Sequence, residues 1–323
     1  MTSILTLLAA VIGIPLILVV YLLGAERLIR RLPPRRRRTA RAYTWLAPAG
    51  VMATLMLIYP LIETIRLSLM SKDGSRFVGW DNYVALFQDN GTLIALRNNL
   101  LWLVFFTVFV TVLGLVVAVL ADGVRGEKFV RSVVVLPTAI SFVGAGVIWG
   151  LMYEYRAPGQ TQTGTLNAAV TALFPNADPI AWLTDERTNN AALIFIGIWM
   201  STGFAAVILS AAIKGVPTET IEAAQIDGAN SRSLFFRILL PQISGSVAVV
   251  VTLMAINALK VFDVIYVLTN GNYNTQVLAT QMYAKLFAAQ DPATASAVAV
   301  VLLAATVPLI VFNVRNARKE EQR

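Results

Sequence analysis

The chain has 323 residues, 57% of them hydrophobic and 14% charged, with a formal net charge of +8 and neither cysteine nor histidine. A soluble domain carries about 25% charged residues, and an apolar excess this large cannot be hidden in one globular core, so a multi-span membrane protein is the first class to test. Without cysteine there is no disulfide, thiolate metal site or thiol nucleophile; without histidine the commonest general base and metal ligand are missing. The composition therefore argues against an enzyme and predicts no cofactor and no metal.

Seven apolar stretches, approximately 3–24, 45–67, 98–120, 132–152, 190–212, 244–268 and 293–314, are long enough to cross the hydrocarbon as helices. The expected fold is an all-α polytopic helical bundle. The first stretch is too long for the apolar part of a signal peptide, and its basic cluster follows it instead of preceding it, so it reads as a retained helix. Lysine and arginine sort between the two sides. The segments 25–44, 121–131, 213–243 and the tail hold eighteen, whereas the opposite loops hold six: Lys72, Arg76, Arg97, Arg156, Arg187 and Lys285. Positive residues stay in the cytoplasm, which predicts an outside N-terminus and an inside C-terminus. The basic charge is then a topology signal and predicts no nucleic-acid partner; contact between Arg35–Arg38 and anionic membrane lipid stays open.

Two outside loops, roughly 70–97 and 153–189, carry turn residues and the aromatics Trp80, Tyr83, Phe174 and Trp182, a pattern suited to short amphipathic helices. Two readings of these aromatics stand: anchors at the membrane interface, or contacts to an extracytoplasmic partner. No internal repeat or low-complexity segment is evident.

The inside loop 213–243 is unlike a linker. Pro217 is placed to open a helix, because proline lacks only an amide that would be unpaired in the first turn. Ile221, Ala224 and Ala229 leave a small-residue face with Glu222 beside it. Gly228 is free to take a positive φ and end that helix sharply. Asn230 can cap a second short helix through Phe235, Phe236 and Ile238, and Pro241 punctuates the start of the next span. A helix–glycine–helix elbow of this kind suits docking into another protein; the bland alternative is an amphipathic loop helix lying on the membrane.

Glu222-Ala223-Ala224, three residues, Gly228, nine residues, Ile238-x-Leu240-Pro241 resembles the loop signature of binding-protein-dependent ABC importer permeases, with no gap. Phe262-Asp263-x-Ile265-Tyr266-x-Leu268-Thr269-x-Gly271, Phe77-Val-Gly79-Trp-Asp-Asn82-Tyr83 and Leu136-Pro137 narrow the likeness to sugar permeases of the maltose-transporter type. Most members carry glycines ending in proline after Thr269. Here Asn270-Gly271-Asn272-Tyr273-Asn274-Thr275-Gln276-Val277-Leu278 replaces them, and with the tail Asn313-Val-Arg-Asn-Ala-Arg-Lys-Glu it is similar to α-glucoside transporter permeases. The resemblance covers most of 45–323, which it implies is the permease domain; 1–44 reads as an additional transmembrane helix with a basic cytoplasmic linker, matched only in the narrower subgroup. It implies a multi-pass protein of the bacterial inner membrane forming half of a sugar pathway. The implied partners are a second permease subunit, two copies of a cytoplasmic ABC ATPase and an extracytoplasmic sugar-binding protein. It further implies that Glu222, Ala223, Ala224, Asp227 and Gly228 couple to the ATPase. In that assignment Glu222 meets a basic residue, the alanines allow close packing and Gly228 makes the bend.

No G-x-x-x-x-G-K-[ST] phosphate loop occurs, so ATP hydrolysis is expected on separate chains. The rivals are a secondary carrier driven by protons or sodium and a scaffold or channel subunit. A carrier needs ionisable relays within its spans, and the candidates are few: Glu63 with Arg66, and Lys260 with Asp263, expected to neutralise each other at i, i+3 on a helix. The inverted repeats common in carriers are not visible. For sugar contact, the fifth span offers Trp199, Ser201, Thr202 and Phe204, the sixth Asn257, Lys260 and Asp263, and the fourth Thr138 and Ser141 after Pro137. The resemblance places the family's sugar-contacting stretch near Gly197, Met200, Ser201 and Phe204, while its polar positions in the sixth span fall on Met254, Ala258 and Val261. Local backbone bonding and core filling are the alternative for all of these side chains.

Overall fold

The structure, a computed structural model, describes residues 13, 16, 19–122 and 124–320, with side chains as far as Arg315. Most of the expected first span, 3–24, lies outside the described residues. The chain divides into two compact units, Met1–Arg66 and Leu67–Arg323.

In the first unit, residues 19–29 form α1 and α2 starts at Pro34, running as one helix over Pro34–Ser68. Pro34 sits in the first turn, where no amide is needed, and the arginines after it are good helix formers, so the basic segment is helical from there on. Arg41 pairs with Glu26 at 2.5 Å, and Arg37 Nε donates to the carbonyl of Leu32 at 2.8 Å, closing the turn between the helices. A π turn over Thr54–Ile58 widens α2 just before Pro60, whose ring would otherwise strike the carbonyl of Met56. Glu63 and Arg66 neutralise each other at 2.6 Å.

In the second unit, α3 (Asp81–Gln88) precedes α4 (Asn90–Leu120), followed by α5 (Glu127–Val135), α6 (Phe142–Met152) and α7 (Thr165–Leu173). The central helix is α8 (Asn189–Lys214). Then come α9 (Thr218–Ile226) and α10, which runs from Ser231–Ser233 through a π turn at Leu234–Leu239 to Leu240–Gln242. The chain ends with α11 (Ser244–Leu259), α12 (Asp263–Leu268), α13 (Leu278–Tyr283, continued by a π turn at Ala284–Ala288) and α14 (Pro292–Glu320). The short helices expected in the two outside loops are α3 and α7. In the first loop Asn82 Nδ2 donates to the carbonyls of Ser68 (2.9 Å) and Met70 (2.8 Å), and Tyr83 donates to Ser68 Oγ at 2.7 Å. Hydroxyl donation from Ser71 and Ser75 holds the neighbouring Asp73 carboxyl down to about 2.

Small residues bring the helices together. A β-carbon on Gly114 of α4 would lie 2.6 Å from Ala205 of α8, and one on Gly197 would lie 2.7 Å from the Trp102 ring. Packing of this closeness drives helix association in lipid, where burial of apolar surface offers no advantage. Trp102, Leu193, Ile196, Met200, Leu209, Val250 and Met254 fill the resulting core.

Among the described residues five helices are long and apolar enough to cross a membrane, and one bent pair makes a sixth candidate. The straight fourth span expected over 132–152 is that pair: α5 and α6 meet at 100° around a 3-10 turn at Leu136–Ala139. Pro137 has no amide to continue the ladder, and Ser141 turns extended (ψ 150°) so that its Oγ can accept from Gly144 N at 3.0 Å as the cap of α6. The sixth span is also interrupted. Because α11 stops at Leu259 and α12 restarts at Asp263, Lys260 and Asp263 flank a break instead of sharing a helical turn, and no ion pair joins them.

Candidate functional site

The elbow between α8 and α11 is built by local chemistry. Pro217 stands at the N-cap of α9, and Glu219 in its first turn complements the positive end of the helix dipole. At the other end Gly228 takes φ +83°. The amide of Ala229 bonds the carbonyl of Ala224 at 2.9 Å and that of Gly228 bonds Gln225 at 3.0 Å, the two bonds of a Schellman closure. Asn230 then leaves the helical region (ψ 165°) and its Oδ1 accepts from Ser233 N at 2.8 Å, capping α10. The π turn at Leu234–Leu239 precedes Pro241, as the one at Thr54–Ile58 precedes Pro60.

Of the elbow residues expected to couple, Glu222, Ala223, Asp227 and Gly228 lie exposed, whereas Ala224 is 8% exposed and packs inside its own chain with half-buried Ile221 and Ala229. The outer stripe of α9 is therefore Glu219, Glu222, Ala223 and Ile226, at i, i+3, i+4 and i+7. Ile226 was not foreseen. It is 85% exposed, an isoleucine held out beside two carboxylates at the end of a nine-residue helix.

The residues expected along a sugar path are divided. Gly197 and Met200 are buried in packing. Trp199 is half-buried, edge-on to Trp149 with ring centres 5.5 Å apart, and Ser201 is half-buried. Phe204, Asn257, Lys260, Thr138 and Ser141 are exposed. The Thr138 hydroxyl bonds the carbonyl of Val135 at 2.6 Å and Ser141 caps α6, so both are satisfied locally. The end of α5, just before the bend carrying Thr138, packs on α8: a β-carbon on Gly203 would come 2.4 Å from the carbonyl oxygen of Val134. An apolar cleft of about 600 Å³ between α4 and α8, walled by Phe105, Phe109 and Phe195, touches none of these nine positions.

A polar network that the sequence reading passed over fixes the loop 270–277. Asn98 Nδ2 donates to the carbonyls of Asn274 (2.7 Å) and Gln276 (2.8 Å). Asn99 donates to the carbonyl of Leu259 (3.2 Å) and accepts from Leu278 N (2.8 Å), while Asn189 donates to the carbonyl of Tyr273 (2.7 Å). Asn270, Tyr273 and Asn274 all have positive φ (51°, 55° and 58°), an uncommon backbone that such anchoring sustains. The doubled asparagines at 98–99 and 189–190, each at the start of an apolar run, were the available signal.

Apolar helices packed through small residues, with one span sharply bent, another interrupted and a capped elbow beyond the bundle, define a multi-span membrane protein of the importer-permease type. The chain belongs to the family of binding-protein-dependent transport system inner membrane components, whose pattern matches residues 101–320. It is 47% identical over 278 residues to the osmoprotective compounds uptake permease protein GgtC of Synechocystis sp., covering 86% of this chain and 99% of that one. It is 44% identical over 287 residues to the alpha-glucoside transport system permease protein AglF of Rhizobium meliloti, covering 88% and 85%. Its fold matches a chain of a bacterial alginate ABC transporter solved with an alginate pentasaccharide-bound periplasmic protein, with TM-score 0.74 and 25% identity over 90% of this chain and 98% of that one.

Proposed function

We propose that this permease forms half of the transmembrane pathway of an ATP-driven sugar importer and that its cargo is an α-glucoside of the maltose, sucrose or trehalose kind. The elbow carries the reading. Its helix presents two carboxylates and an exposed isoleucine on one stripe, and only Gly215, Val216 and Pro217 separate it from α8. A relative named for alpha-glucoside transport supports the cargo class, while another is named for uptake of osmoprotective compounds. In this mechanism two ATPase copies close on ATP, α9 is seated in a cleft of one of them, and α8 is carried along. The spans then open outward to a sugar delivered by an extracytoplasmic binding protein, and a second permease supplies the other wall. The eighteen-to-six distribution of basic residues supports an outside N-terminus and an inside C-terminus, with Arg35–Arg38 at the cytoplasmic face.

Glu222→Lys tests the proposal. A merely solvated carboxylate is replaceable at a cost within about 0.5 kcal/mol. One paired with a basic residue in a partly desolvated cleft costs on the order of 2–5 kcal/mol of the interface when removed, much of it from the stranded partner charge. The variant, co-expressed with the proteins encoded beside it, should reach the membrane yet lose labelled α-glucoside uptake and co-purification of the ATPase. The permease purified alone should hydrolyse no ATP. Normal uptake by Glu222→Lys would leave the elbow a loop and remove the main support for coupling.

A further inference from the structure

The foot of α8 is tied to α5 by charge. Lys214, the last residue of α8, places Nζ 2.7 Å from Glu127 Oε1, and Arg131 of α5 reaches the same carboxylate at 2.7 Å. Asp122, just beyond α4, lies 3.7 Å from Lys214 and 3.9 Å from Arg131. Arg131 also donates to Ser210 Oγ, one turn before Lys214 on α8. Two acids and two bases from three segments thus close on one another without net charge. Gly126 makes the arrangement possible: with φ +89° it turns the chain so that Glu127 opens α5 beside the end of α8. Four residues after Lys214, α9 starts.

The geometry points to Asp122, Glu127, Arg131 and Lys214 as a strut that makes α5 move with α8 when the elbow is pushed. They are positioning residues, touching neither cargo nor ATPase, and the inference rests on the proposed role of α9 as the part that receives the push. The strut does not act alone. Higher up, Gly203 lets α8 meet the Val134 carbonyl of α5 with no room for a β-carbon. Two separated attachments, one ionic and one steric, fix an orientation where either alone would leave a pivot. Beyond Val135 the chain passes through the bend at Leu136–Ala139 into α6. Displacement of α8 would therefore reach the broken span directly. The four side chains are 23–48% exposed, so each pair adds little to stability and breaking them leaves the fold standing.

The natural absence of cysteine makes the test clean. In the reconstituted transporter, the double variant Glu127→Cys/Lys214→Cys should lower uptake per ATP hydrolysed about fivefold, the factor expected from losing a small network of half-exposed pairs. Membrane insertion and ATPase co-purification should be unchanged, and a bis-methanethiosulfonate bridge between the two thiols should restore the ratio. Lys214→Arg should keep it and Lys214→Gln lose it, which decides the matter even where the bridge does not form. A readout independent of ATP is the distance distribution between spin labels on exposed Ser132→Cys and Ala211→Cys: narrow with Lys214 present, broad in Lys214→Gln. An unchanged ratio and distribution in Lys214→Gln would overturn the strut even with importer activity intact. A broadened distribution together with normal uptake by Glu222→Lys would retain the strut and overturn the coupling role of the elbow.

Discussion

Gly228 offers a perturbation whose magnitude follows from the structure. A β-carbon built there meets nothing within 4 Å, so a substitution acts through the backbone and not through a clash within the chain. At φ +83° an L-residue strains by about 1–2 kcal/mol, more for a β-branched side chain and less for asparagine. Opposing this are the two closure bonds from Ala229 and Gly228, at 2.9 and 3.0 Å, each with a net contribution of about 1 kcal/mol. Strain and closure are therefore of similar size. Gly228→Val should open the turn and misdirect α10, reducing uptake and ATPase co-purification about tenfold or more, since 1.4 kcal/mol is a factor of ten. Gly228→Asn should stay within about threefold of the parent by the same conversion. The assay is α-glucoside uptake and ATPase recovery at matched membrane levels. A silent Gly228→Val would refute the reasoning, and equal damage from Asn and Val would refute its backbone basis, because bulk at a docked surface would then be responsible.

Two further outcomes are expected. Asn98→Ala strands the carbonyls of Asn274 and Gln276, and Asn99→Ala strands Leu278 N and the carbonyl of Leu259; each should cost about 1–3 kcal/mol, seen as a lowered thermal midpoint in detergent, and an unchanged midpoint would mean that water replaces the amide. A single cysteine at Thr2 should react with a membrane-impermeant maleimide in spheroplasts while one at Thr39 should not, and the reverse pattern would overturn the orientation read from the basic residues.

The elbow was legible in the sequence because each of its parts is a local effect. A proline without an amide, a glycine able to take positive φ and an asparagine able to cap need only their immediate neighbours, and all three do in the structure what their chemistry suggests. Which face of α9 turns outward was not legible. Ala224 is covered and Ile226 left bare by packing on the rest of the chain, a tertiary fact that periodicity over nine residues leaves open. The broken fourth span escaped for a different reason. Hydropathy adds up apolar residues without regard to direction, and the last turn of α5, the turn at Leu136–Ala139 and α6 together form one apolar run over 132–152, so a 100° bend leaves the sum unchanged. Asn98 and Asn99 were overlooked because their partners lie 160–179 residues away, beyond any local pattern.

Burial within one permease also sorts the candidates for the cargo path. A pathway shared between two permeases is lined by side chains that a single chain leaves open, because those it buries are already committed to its own core. By that argument Gly197 and Met200 act through packing: Gly197 lets α8 approach Trp102, and Met200 fills the space beside it. Met254 and Ala258, where the resemblance would place polar contacts, are 2% and 1% exposed, so their apolar character costs the pathway nothing. We propose Phe204, Asn257 and Lys260 as the exposed cargo-facing set, one aromatic ring and two hydrogen-bonding groups, with half-buried Trp199 and Ser201 as further candidates on α8. Thr138 and Ser141 drop to a structural role, since their hydroxyls already bond Val135 and Gly144. Phe204 belongs to the helix that leads into the elbow, and Asn257 and Lys260 stand where α11 ends, so a shift of α8 would change the spacing between the ring and the two polar groups.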